Sequence, residues 1–186
     1  MSAAAEKFAS YDDVLAAPRH RVAELVRGQL ITSPRPAPRH AQAGSGLGAK
    51  LFTRFDEGDG GPGGWRILFE PELHLGSNVL VPDIGGWREE RMPRLPSTPY
   101  FELAPDFCCE VLSPSTANFD RVTKMPLYAA HGVAHVWLVD PLVKTLEVYA
   151  LKGEAYLLHA TYGNDASIHA PPFDAVPIEL ARLWRD

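Results

Sequence analysis

Apolar residues recur first at helical and then at strand spacing, and the changes of period divide the chain into elements. Residues 11–17, YDDVLAA, predict a short helix with an acidic first turn, which the helix dipole favours. HRVAELVRGQLITSP, residues 20–34, predicts two short strands joined through Arg27-Gly28 as a hairpin. PRPAP at 34–38 is extended, since each proline disfavours helix before it. From His40 to Phe55, Leu47, Leu51, Phe52 and Phe55 fall at helical spacing and predict an amphipathic helix. DEGDGGPGG at 56–64 is a loop.

Beyond that loop the period shortens. WRILFEPELHLG (65–76) and NVLVPDIGGW (78–87) predict paired strands, dense in β-branched and aromatic residues. Residues 88–105 carry Pro93, Pro96, Pro99 and Pro105 and predict a long surface connection. PDFCCEVLS is a short apolar run, the pattern of a buried central strand. Ser113 to Asn118 supply cap residues for a helix through Ala130, which Pro126 should kink or restart. HVWLVDP and TLEVYALKGEAYLLHATY then give a strand and a meander. This order predicts an α/β domain with a mixed sheet. With 186 residues, no internal repeat and no linker between two apolar cores, a single domain over 1–186 is expected.

Composition narrows the class. Hydrophobic residues at 46% and charged residues at 22% suit a folded core. No apolar run approaches the ~20 residues of a bilayer span. The opening MSAAAEKFASYDDV has no basic stretch followed by an apolar run, so no secretory signal is expected. Cys108 and Cys109 are adjacent, cannot build a disulfide framework, and suit the reducing cytoplasm as two core thiols. A net charge of -5 argues against a generally basic nucleic-acid surface, while leaving room for a local basic groove or a metal-bridged phosphate contact.

Three residues invite chemistry: Asp83 at the end of an apolar strand, Glu110 within FCCEVL, and Lys124 on the following helix. A carboxylate inside an apolar strand is costly unless a salt-bridge partner or a cation compensates it. Glu110 should point with Cys108 and Leu112, opposite Cys109 and Val111. If the Asp83 strand pairs beside it, the two carboxylates converge, and with a backbone carbonyl and waters they make a typical Mg²⁺ site. Lys124 could then offset charge on a phosphoryl oxygen. Each residue also has a plainer role. Asp83 can be a turn residue before Gly85-Gly86. Glu110 can be half of a salt bridge, and Lys124 the i+4 partner of Asp120, worth ~0.3–0.5 kcal/mol when exposed. His131 and His135 do not match a zinc-binding helix, since Gly132 breaks the register. Arg19-His20-Arg21 and Arg35 with Arg39 are small basic clusters, ordinarily solvated.

The segments PDIGGW and PDFCCEVLSPSTANFDRVTKMPLYAAHGVAHVWLVDP resemble the Uma-two restriction endonuclease family of the PD-(D/E)XK nuclease superfamily. AELVRGQL is similar to that family's N-terminal hairpin, and PRHAQAGSGLGAKL to its first core helix. The central pattern E-V-L-S-P-S-T followed by D-x-x-x-K-x-x-x-Y is long and specific. The resemblance implies a restriction-endonuclease-like mixed central sheet flanked by helices, with the N-terminal helix and hairpin at 11–33 and the nuclease-like core at about 37–162. It implies hydrolysis of DNA phosphodiester bonds with Mg²⁺ or Mn²⁺ held by Asp83 and Glu110. Leu112 occupies the usual lysine position, and the displaced lysine of the family matches Lys124. Glu24 matches the hairpin glutamate at the rim of the site, and His40 a histidine opening the first helix, with Arg39 and Arg35 beside it for phosphate. Gln29 departs from the family's usual acidic residue. The superfamily often cuts duplexes as a homodimer. The alternative is a catalytically silent protein of the same fold that binds nucleic acid or a protein partner.

Overall fold

The computed structural model describes residues 8–185. Residues 1–7, where the segment read for a secretory signal begins, and residue 186 lie outside the described residues. A short helix α1 (Tyr11–Leu15) leads into the antiparallel hairpin β1 (Arg21–Val26) and β2 (Gln29–Pro34). Arg27 and Gly28 both take positive φ, 51° and 76°, the two-residue turn that matches strand twist. Helix α2 (Pro38–Leu51) starts with Pro38, whose missing N–H costs nothing in a first turn, and runs on into a π turn over Phe52–Asp56.

The two predicted strands that follow each break in half, giving β3 (Trp65–Phe69), β4 (Leu73–Leu75), β5 (Asn78–Leu80) and β6 (Ile84–Arg88). The breaks fall at Pro71 and Pro82, which have no N–H for a ladder. The inner halves β4 and β5 join the hairpin in a sheet ordered β2-β1-β5-β4, while β3 and β6 pair with each other in the central sheet.

The central strand β7 (Phe107–Val111) is buried throughout. A helical run follows: α3 (Ala117–Phe119), a π turn over Asp120–Lys124, and α4 (Met125–Ala130). As expected of Pro126, the run restarts there, with α4 beginning at Met125 and the proline in its first turn. The wider π turn ends just before it, so its absent N–H falls where the hydrogen-bond pattern is already shifting. Strands β8 (His135–Asp140), β9 (Thr145–Lys152) and β10 (Ala155–Gly163) complete the central sheet, ordered β10-β9-β8-β7-β6-β3. In it β7 and β8 run parallel and the other pairs antiparallel. This is the expected mixed α/β sheet.

Alternation along β7 decides what each face carries. Cys109 and Val111 pack with Ala43, Leu47 and Leu51 of α2, while Cys108 and Leu112 pack with Leu127 and Tyr128 of α4. The sheet is therefore covered by α2 on one side and α4 on the other, with Glu110 on the α4 side. Strands β11 (Ser167–Ile168) and β12 (Ile178–Glu179) and a 3₁₀ helix at Leu180–Trp184 add Phe173, Leu180 and Leu183 to the α2-side core. Among the described residues no helix is long and apolar enough to cross a membrane.

Candidate active site

Four elements meet beside the C-terminal end of β7 and enclose a cavity of about 240 Å³ lined by Glu24, His40, Asp83, Glu110, Asp120 and Lys124, with Arg35 and Glu70 also on its wall. Alternation in β1 turns Glu24 inward, and the helical run brings Asp120, Lys124 and Tyr128 to one face at four-residue spacing. Lys124 is 3% exposed. Its Nζ lies 2.8 Å from Glu110 Oε1, 3.1 Å from Glu24 Oε1 and 3.9 Å from Asp120 Oδ1, and donates to the Val81 carbonyl at 3.1 Å. The i+4 pair with Asp120 is buried rather than solvated and is the longest of these contacts. Glu24 is correspondingly at the floor of the site rather than its rim: it is buried and also accepts from the Val81 N–H at 2.8 Å.

Glu110 Oε1 accepts a second hydrogen bond, from the Tyr128 hydroxyl at 2.6 Å. Asp83 is not a turn residue. It leads directly into β6, and Gly85 and Gly86 lie within that strand, where a Cβ on Gly85 would come within 2.8 Å of Pro71. Asp83 Oδ2 accepts from the Val111 N–H at 2.7 Å, and Oδ1 lies 3.5 Å from His40 Nε2. Asp83 and Glu110 thus flank one cavity, as do His40, Arg35, Glu24 and Lys124. Arg39 is the exception. It lies on the far side of α2, against Gln42, Lys144 and Arg185. Asp120 and Tyr128 are the members the sequence reading did not place in the site, although their four-residue spacing from Lys124 is visible in the sequence.

Burial is the largest influence on Glu110, Asp120, Lys124 and His40; it sets the direction for the two carboxyls and is overcome by neighbouring groups for the two cations. It pushes the Glu110 carboxyl well up, against the pull of Lys124. It works against the Lys124 ammonium, but Glu110, Glu24 and Asp120 outweigh it and hold the lysine well above its ordinary range. Burial likewise opposes the His40 imidazolium, yet Asp83 and a hydrogen bond with the Val111 backbone raise it. Asp120 is pushed up to about 6 by burial, with Lys124 and a hydrogen bond from Thr116 opposing. Three carboxylates surround one ammonium, and burial raises the proton affinity of Glu110 and Asp120 against the pull of that ammonium.

That burial has a pH signature. Asp120 holds its proton more tightly folded, at about 6, than unfolded, at 3.8. Its contribution to stability is fully present below the unfolded value and is lost as pH rises through about 6. With a chelator present, the thermal midpoint should fall across pH 4–6 and Asp120→Asn should flatten the fall. An unchanged slope in the variant would remove Asp120 from the account.

The donors converging on the cavity are hard oxygens. His40 lies against Asp83, and Asp83 and the Val111 backbone together favour its protonated form. Two carboxylates and a carbonyl fit Mg²⁺ or Mn²⁺. Among the described residues no group of three or more His, Cys, Asp or Glu is arranged to hold a metal, so such an ion would complete its shell from backbone and water.

The Uma2 family, described as "Putative restriction endonuclease", matches residues 6–181. The chain belongs to the Uma2 family. The match runs from before α1 into the C-terminal 3₁₀ helix, so it spans every element that builds the site. A crystal structure of a putative nuclease belonging to DUF820 from Anabaena variabilis ATCC 29413 is similar in fold. Its TM-score is 0.75 at 23% identity, covering 94% of this chain and 97% of that one. No curated protein matches the chain. The Uma2 description and the nuclease-like fold agree with the mixed sheet and acidic cavity described above.

Proposed function

We propose that this Uma2 protein is, as one domain, a metal-dependent endonuclease that hydrolyses DNA phosphodiester bonds at the Asp83–Glu110 cavity. The observation that carries this reading is a surplus of carboxylate over cationic charge around an oxygen-lined cavity that holds one buried lysine. Asp83 and Glu110 would hold Mg²⁺ or Mn²⁺, which when bound supplies Lewis-acid polarisation of the phosphate. Asp83 is oriented for this by the Val111 N–H, and Glu110 by the Tyr128 hydroxyl. Lys124 meets the charge developing on a phosphoryl oxygen by exchanging its contact with Glu24, the longer of its two short ion pairs. His40 would give up Asp83 when the cation arrives, and Arg35, at the cavity wall, would face a neighbouring phosphate.

A second reading has one observation in its favour: the Lys124 ammonium is already fully engaged, by Glu24, Glu110 and the Val81 carbonyl. A closed ion-pair cluster would make the protein a silent binder of nucleic acid or of a protein partner. Incubation with supercoiled plasmid, linear duplex and single strand, each with Mg²⁺ and Mn²⁺, separates the two. Cleavage that requires the metal and is abolished by Asp83→Asn is expected. An intact set of substrates under every condition would favour the silent binder.

A further inference from the structure

We propose that Arg121, Glu147 and Tyr149 form a clamp outside the cavity, and that Arg121 is the positioning residue that sets where the Lys124 ammonium stands. The consequence for cleavage rests on the phosphodiesterase reading; the placement of the lysine does not.

Arg121 donates to Glu147 through both arms of its guanidinium, at 2.7 Å and 2.9 Å. The Tyr149 hydroxyl donates to the same carboxylate at 2.7 Å, and the guanidinium also reaches that hydroxyl at 3.4 Å. The hydrogen bonds from Arg121 hold the Glu147 carboxyl below its ordinary range, so the pair is charged. The two side chains are 37% and 20% exposed. An ion pair this open to water adds little to stability. A two-pronged fork with a tyrosine as third partner does, however, fix direction.

Strand register shows what is being directed. Glu110 stands opposite Leu138 of β8, and Leu138 stands opposite Glu147 of β9. The two glutamates therefore share one row and one face of the sheet, two strands or roughly 10 Å apart. The π turn over Asp120–Lys124 meets this row twice. Lys124 pairs with Glu110 at 2.8 Å, and Arg121, three residues earlier, pairs with Glu147. A single turn of helix is tied to the sheet on its β7 side and on its β9 side.

Lys124 needs the second tie. Inside the cavity its ammonium has competing partners, Glu110 at 2.8 Å and Glu24 at 3.1 Å. The π turn closes through the Met125 N–H, which donates to the Asp120 carbonyl five residues back. Reversion to the α pattern would turn the ends of the segment against each other by up to about 100°, one residue's worth of rotation. Ala117, Phe119, Met125 and Leu127 hold the run by apolar packing, which is not directional. Arg121 supplies the directional contact on the β9 side.

The test reads the lysine itself, by nuclear magnetic resonance of the full chain with isotope-labelled lysine side chains and a chelator present. The wild type should show one ammonium in slow exchange with water, identified as Lys124 by its absence from Lys124→Arg. Arg121→Ala should lose that signal, and so should Glu147→Gln, which keeps the shape of the side chain if the first variant does not fold. Leu183→Ala, in the core on the α2 side, should lower the thermal midpoint and keep the signal. A signal that persists in the folded clamp variants would overturn the clamp. So would a wild type without it, or its loss from Leu183→Ala as well, which would show that it follows stability alone. Where the wild type cuts DNA, Arg121→Ala should lower kcat about 10²-fold with KM unchanged, the usual effect of a slightly misplaced group. It should cause no further loss in the Lys124→Met background at saturating Mn²⁺. An unchanged kcat, or a further loss in that background, would overturn the positioning role. A wild type that cuts nothing removes the phosphodiesterase reading, while the ammonium signal still decides the clamp.

Discussion

Replacing Lys124 with methionine is expected to produce the largest stability loss of any single substitution at this site, and to abolish cleavage with it. Methionine keeps the unbranched apolar stem of the side chain but leaves Glu24, Glu110 and Asp120 without their ammonium, all of them buried. Breaking a buried ion pair from one side costs about 3–5 kcal/mol. Because Asp120 takes up a proton near pH 6, part of that loss should return when the pH is lowered to 5. Added Mn²⁺ should also restore stability, and should bind more tightly than to the wild type, since the competing positive charge is gone. The catalytic loss should be about 10²–10³-fold, the usual effect of losing a group that meets transition-state charge. Chemical denaturation at pH 5 and 7.5, with and without Mn²⁺, reads the first effect. Cleavage rates at saturating Mn²⁺, where the variant is folded, read the second. Equal cleavage by the variant would leave Lys124 a structural counter-charge and no more.

Glu110→Gln carries the second large effect, in the opposite sense for stability. Glutamine is nearly isosteric and can still accept from Tyr128 and Lys124, so the packing of β7 against α4 is retained. The substitution removes one of the surplus buried carboxylates, whose ionised form burial already disfavours. The metal-free variant should be as stable as the wild type or more so, while the rise in thermal midpoint on adding Mn²⁺ disappears. A metal-free variant that fails to fold would show that the Glu110–Lys124 pair exists for structure alone.

Much of this architecture could be read from the residues. Alternation along FCCEVL correctly separated the Cys109 face from the Glu110 face, and the Arg27-Gly28 turn fixed the hairpin. Periodicity could not show that β3–β4 and β5–β6 each change sheets. Apolar residues stand close on both sides of Pro71 and Pro82, so each segment reads as one strand and the prolines' missing N–H groups mark the breaks. Nor could it show the burial of Lys124. An i+4 Asp–Lys pair is ordinarily a solvated helix feature, and the π turn in which this buried pair sits has no sequence signal of its own. Arg39 and His40 are neighbours in sequence, yet consecutive helical positions point about 100° apart, so His40 faces the acidic cavity and Arg39 the C-terminal helix.

The most direct test of the central claim is the position of a bound metal. In crystals soaked with Mn²⁺, the anomalous signal should place one ion between the carboxylates of Asp83 and Glu110, at oxygen distances of ~2.0–2.6 Å, with His40 displaced from Asp83. An ion found elsewhere, or a cavity in which His40 still contacts Asp83 at saturating Mn²⁺, would contradict the account.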